Sequence, residues 1–121
     1  MIPARIALPD SDISIRRLML VDSGADQCVI PFEAVQALAI PRERLRPAVA
    51  ISAGGPADAL EVDLLIEVGG TSAVARAIIS PSPQSDMYIL GREPFFRLLH
   101  FGFAQYEDPT RNLLLWRAGP A

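Results

Sequence analysis

The sequence predicts an all-β, barrel-like domain with two short helices, and three observations predict it. Short apolar segments recur at close spacing, divided by clusters of glycine, proline, serine and aspartate. Leu60, Val62, Leu64, Ile66 and Val68 alternate with Glu61, Asp63 and Glu67, the period of a half-buried strand. Only two stretches carry helical spacing, and each is opened by a proline, Pro31 or Pro94.

Taken in order, Pro3 to Leu8 reads as a first strand, closed by the turn residues Pro9-Asp10-Ser11-Asp12. Ile13, Ile15 and Met19 alternate, and the chain then becomes apolar without a break from Leu18 to Val21. Such a run suggests a strand covered on both faces. Cys28-Val29-Ile30 is a short strand. A helix follows Pro31, with Phe32, Val35, Leu38 and Ala39 as its inner stripe, and Pro41 ends it. Arg42 to Arg46 is a charged, solvated connector. Val49 and Ile51 lead to Ala53-Gly54-Gly55-Pro56, the most flexible point up to there.

The strand Leu60 to Val68 turns at Gly69-Gly70 and returns as Ser72 to Ile79. Ser80 to Asp86 is a loop, and Met87 to Leu90 a buried strand stopped by Gly91. A second helix covers Pro94 to His100, with Phe95, Leu98 and Leu99 on one side. Phe101 and Phe103 begin a strand, Glu107 to Asn112 turn, and Leu113-Leu114-Leu115-Trp116 is the last strand. Residues 1–117 form a single domain and 118–121 a tail. Leu18–Leu38 and Met87–His100 echo one another: apolar strand, glycine turn, short helix.

At 121 residues the chain holds one domain with a real core. Its net charge is −3 and all its basic residues are arginine, so nucleic acid is not an expected partner. The absence of lysine excludes a Walker-type phosphate loop. No apolar stretch reaches the roughly 20 residues of a membrane helix. Met1 to Arg5 lacks the apolar core of a secretory signal, which points to the cytoplasm. One cysteine, Cys28, allows no internal disulfide, and with His100 as the single histidine a Cys/His metal site is not expected. Carboxylate chemistry is what remains.

Asp22 stands where the apolar run ends, followed by Ser23, Gly24, Ala25 and Asp26. The glycine permits a turn that a Cβ resists and lets other groups approach closely. Asp-Ser-Gly alone also makes ordinary turns; its weight comes from two further pieces, Ala53-Gly54-Gly55 and Ile89-Leu90-Gly91-Arg92 before a helix. In order and spacing these three resemble the retropepsin-type aspartic proteases, single-domain relatives of pepsin. The likeness runs from Pro3 to Trp116.

The resemblance implies a closed barrel-like acid-protease fold with one or two short helices. It implies an aspartic endopeptidase that uses no metal or organic cofactor and acts on a peptide or protein substrate. Asp22 would be catalytic. With one such loop per chain, the dyad would need Asp22 from both subunits of a homodimer. Ser23 would hydrogen-bond to the partner loop, and Gly24 would leave room for substrate. Asp26 and Arg92, after Gly91, would form a partly buried ion pair near the dimer contact. Ile51 to Ala57, centred on Ala53, Gly54 and Gly55, would be a flap, with Pro56 lacking a backbone donor. Leu113 to Trp116 would pair between subunits.

Other residues have plainer readings. Cys28 is a small buried hydrophobe, His100 a helix-end or core residue, and Trp116 core or interface. Ser23 as a hydrolase nucleophile lacks the elbow pattern around it. From a different class comes a non-catalytic retropepsin-like module that dimerises and binds peptides or partner proteins. A small β-barrel binding module with a chance motif is the third reading.

Overall fold

The computed structural model describes residues 1–52, 54–103 and 113–117. Among these, nine strands and two helices follow one another in the chain. They are β1 (Ile2–Ala7), β2 (Ser14–Val21), β3 (Cys28–Ile30), α1 (Phe32–Ala37), β4 (Arg46–Ser52), β5 (Gly55–Val68), β6 (Thr71–Ile79), β7 (Ile89–Leu90), α2 (Phe95–Leu98), β8 (Leu99–Phe103) and β9 (Leu113–Arg117). A 3-10 turn at Arg42–Arg44 precedes β4. Strands run β1-β2-β7-β3-β6-β5, and β5 pairs again with β1, so six strands close into a barrel. The all-β barrel with two short helices is therefore what the chain forms.

Alternation decides what each barrel strand buries. In β5, Val62, Leu64, Ile66 and Val68 are at most 1% exposed, while Glu61, Asp63 and Glu67 face outward. Ile2, Ala4 and Ile6 of β1 and Met19 of β2 meet them in the core. The turn between β5 and β6 needs positive φ at both central residues, and Gly69 and Gly70 supply 57° and 78°. Ala34 and Leu38 of α1, and Phe95 of α2, complete the core cluster. Helix α1 ends without glycine: Ala39 takes φ 50°, with Ala39 N–H donating to Gln36 O and Ile40 N–H to Val35 O.

Several expectations need correction. Leu18 is 58% exposed, so the apolar run is not covered on both faces. Strand β2 has the barrel on one side only, and just its last two residues gain β7 as a neighbour. Phe32 points outward at 50% exposure and Ala34 takes its place, because Pro31 precedes the helix as its cap and shifts the inner stripe. Leu98 is likewise outward, while Leu99 is buried. Helix α2 stops at Leu98, which places His100 in β8 rather than at a helix end. Arg46, read as connector, begins β4. The strand Leu113 to Trp116 pairs antiparallel with β8 of its own chain, making a two-stranded sheet beside the barrel. Ala53, the turn Glu107 to Asn112 and the tail 118–121 lie outside the described residues.

Candidate active site

The short strand β7 lies between β2 and β3, parallel to the first and antiparallel to the second. This places the loop that joins β2 to β3 over the end of β7. Asp22 leaves β2 with its N–H donating to Leu90 O at 3.1 Å. Two residues earlier, Leu20 N–H donates to Tyr88 O at 2.8 Å. Further along the loop, Arg92 N–H donates to Ala25 O at 2.8 Å and Glu93 N–H to Asp26 O at 3.0 Å. Both ends of the loop are thus held through main-chain hydrogen bonds by the segment 90–93.

Within the loop, Ala25 N–H donates to Asp22 O at 3.2 Å, and Gly24 N–H donates to Asp22 Oδ1 at 2.8 Å. One carboxylate oxygen of Asp22 is held by backbone, and the side chain as a whole stays half-buried. A side chain at Gly24 would crowd the aspartate. The glycine's backbone is not in the left-handed region, but a Cβ there would sit 3.2 Å from Asp22 Oδ1. Gly91 is held to glycine far more strictly. A Cβ on it would fall 2.3 Å from Gln27 O and 2.9 Å from Ala25 O, both backbone atoms. Loop and β7 exit are packed too closely for any side chain between them.

Ser23 is exposed, and its hydroxyl has no hydrogen-bond partner among the described residues. Asp26 and Arg92 form an ion pair across 66 residues of sequence. In the single chain their side chains are 74% and 53% exposed. An exposed pair contributes at most about 1 kcal/mol.

The hairpin of β4 and β5 rises beyond the barrel, with Ser52 opposite Gly55 at its tip. Gly55 has φ 101°, and a Cβ added there would meet nothing within 4 Å, so its glycine serves backbone shape rather than space. A cleft of about 510 Å³ opens between this hairpin and the aspartate loop. Gly24 to Gln27 form one wall, Val49 to Ile51 another, and Val29 and Ile78 the apolar base. Ile51, at 80%, and Val49, at 59%, are strongly exposed. Among the described residues no group of three or more His, Cys, Asp and Glu could hold a metal ion.

Sequence reading missed Gln27, Val29, Val49 and Ile78 as cleft residues. The period-two pattern could have placed Val49 with Ile51 on one hairpin face, but Ile78 reaches the cleft only through the β3–β6 pairing. It also missed a side-chain cluster that ties β2, α1 and the segment entering β7 together. Tyr88 OH donates to Glu33 Oε2, Arg17 donates to Glu33 Oε1 at 2.5 Å, and the Arg17 guanidinium lies 5.7 Å from the centre of the Tyr88 ring. The hydrogen bond from Arg17, then that from Tyr88, holds the Glu33 carboxyl below its usual 4.5. Burial, then Glu33, pushes the Tyr88 phenol up from 10.0 to about 12. Cys28 is fully buried at the loop's far end, and burial raises its thiol, away from the thiolate a nucleophile needs.

Comparison with known proteins bears on this geometry. The family model described as aspartyl protease matches residues 12–93, a span that begins before β2 and ends with the segment that clamps the loop. No curated protein matches the chain.

Proposed function

The chain belongs to the retropepsin-like aspartyl protease family, and on that premise we propose that it is an aspartic endopeptidase whose dyad is Asp22 from each of two copies. One observation carries this reading: the loop that holds Asp22, with one carboxylate oxygen fixed by Gly24 N–H, forms through Gly24 to Gln27 one wall of a cleft of about 510 Å³. Two carboxylates brought together across a two-fold axis share one proton, because like charges so close cannot both ionise. The ionised member takes a proton from water as the water oxygen attacks the scissile carbonyl carbon. The protonated member gives its proton to the carbonyl oxygen. As the C–N bond of the gem-diol intermediate breaks, the dyad gives its proton to the leaving nitrogen and takes one from a diol hydroxyl as the C=O re-forms, so the dyad ends with the single proton it began with.

The hairpin tip, residues 51–57, acts as a flap that closes over the peptide and excludes water. Alternate substrate side chains enter pockets on either side of an added strand. Ser23, exposed and without a hydrogen-bond partner among the described residues, is free to bond to the second loop. The β8–β9 hairpin supplies the dimer contact. A two-stranded sheet is marginal alone in water, and a second copy would extend it to four strands.

The test is Asp22→Asn. It keeps shape and removes both base and acid, so peptide hydrolysis vanishes while sedimentation still reports a dimer. Substantial hydrolysis by the purified variant ends the enzyme reading. Activity of the native protein follows a bell-shaped pH profile with its maximum on the acid side of neutrality. Leu115→Glu gives a folded monomer without activity; a folded monomer with full activity would sink the shared site.

A further inference from the structure

A second groove lies away from the cleft, on the outer face of β1 and β2. It encloses about 340 Å³, and Pro3, Arg5, Arg16, Arg17, Leu18 and Glu67 line it. Most described arginines have a carboxylate partner: Arg17 with Glu33, Arg44 with Asp10, Arg46 with Asp63, Arg76 with Glu61, Arg92 with Asp26, Arg97 with Glu93. Arg5, Arg16 and Arg42 have none among the described residues, and the first two stand directly opposite one another in the β1–β2 register. Like charges so placed repel and destabilise a strand pair. Glu67 faces Arg5 from β5 but accepts a hydrogen bond from Ser72 Oγ instead. Beside the arginines, Pro3 opposes Leu18, and Leu18 is 58% exposed.

We propose that this groove docks an acidic segment of a protein partner, with carboxylates between Arg5 and Arg16 and an apolar side chain against Leu18 and Pro3. Charge complementarity selects the occupant. The paired arginines want anions, the Leu18 shelf wants an apolar group, and Glu67 in the same groove disfavours a nucleic-acid backbone of unbroken negative charge. The groove adjoins the Val68 end of β5 and the flap tip begins at its Gly55 end, on the order of 40 Å apart along the strand. The docking surface is therefore separate from the cleft and does not depend on the peptidase reading.

The probe is a short labelled peptide alternating glutamate and leucine, titrated into the full chain and into Asp22→Asn. Binding by anisotropy is expected to saturate equally in both, to weaken with added salt, and to be absent for a lysine–leucine peptide. Amide resonances of residues 4–5, 16–18 and 67–69 shift on binding. The double variant Arg5→Gln/Arg16→Gln weakens binding on the order of tenfold, while its circular dichroism and thermal unfolding match the native chain. If the double variant fails to fold, Arg16→Gln and Leu18→Ser, read singly, each weaken binding. Unchanged affinity in these variants overturns the proposal. So do shifts confined to residues 24–27 and 49–51, or a single-stranded RNA that binds more tightly than the peptide.

Discussion

The aspartate loop and the β4–β5 hairpin face each other across one cleft, yet they are built on opposite principles. The loop's main chain is held at Asp22, Ala25 and Asp26 by Leu90, Arg92 and Glu93. Gly91 packs against it with no room for a methyl group. Near its tip the hairpin pairs strand to strand with itself, and Val49 and Ile51 stand in solvent. On the proposed function a catalytic carboxylate gains from being fixed before substrate arrives, whereas a cover must open, so that reading asks for a rigid wall on one side and a yielding one on the other. The two glycines express the contrast. Gly91 has an ordinary backbone in a crowded place; Gly55 has a φ of 101° in open space.

Replacing Gly91 with alanine is the most severe way to probe that contrast. The methyl group meets main-chain oxygen that cannot turn aside, so the loop must move. Stability in urea falls by about 1–3 kcal/mol or more, and hydrolysis falls further than stability does. An alanine variant with native stability and activity would remove the rigid-wall half of the comparison. Gly55→Ala strains the backbone only, at a cost of about 1 kcal/mol. D-alanine at the same position, introduced by semisynthesis, restores stability because it accepts positive φ without strain. Equal losses for the two enantiomers would mean that space, not φ, selects glycine there.

Ile51→Ser separates cover from scaffold. Thermal stability changes by no more than about 0.5 kcal/mol for a side chain this exposed, while KM for a peptide substrate rises several-fold and kcat changes less. A large drop in stability would show that the hairpin face is packed rather than open. Amide exchange sharpens the same point, with residues 20–25 slow and residues 49–52 fast.

Asp26→Asn gives the smallest effect in the isolated chain, at most about 1 kcal/mol, because its ion pair with Arg92 is exposed. A larger loss seen only as dimer dissociation would report burial of the pair by the second copy. The Tyr88–Glu33–Arg17 cluster makes stability depend on pH at both extremes. Glu33 is lowered when folded, so its contribution is present above the ordinary carboxyl value of 4.5 and is lost as pH falls through the folded value. Tyr88 is raised, so its contribution is present below 10.0 and is lost as pH climbs toward about 12. Tyr88→Phe should abolish the alkaline part of that profile and leave the aspartate loop's exchange rates unchanged.

Much of the barrel was legible in the sequence because it rests on local pattern. The alternation from Leu60 to Val68, the Gly69-Gly70 turn and the Asp22-Ser23-Gly24 loop after an apolar run are written in consecutive residues. Each follows from strand period or turn chemistry. What a residue meets from far along the chain was not legible in the same way. That Leu18 faces water, that Gly91 must be glycine to clear Gln27, and that Glu33 bridges Arg17 and Tyr88 all depend on which strands become neighbours. The same holds for β9, whose apolar residues read as an edge awaiting a second subunit. Its first partner proved to be β8 of the same chain. Sequence by itself determined where strands and turns form, since short-range sterics and side-chain period act within a few residues. Tertiary structure alone decided which loop meets which strand, since closing the barrel brings together backbone atoms that no local pattern connects.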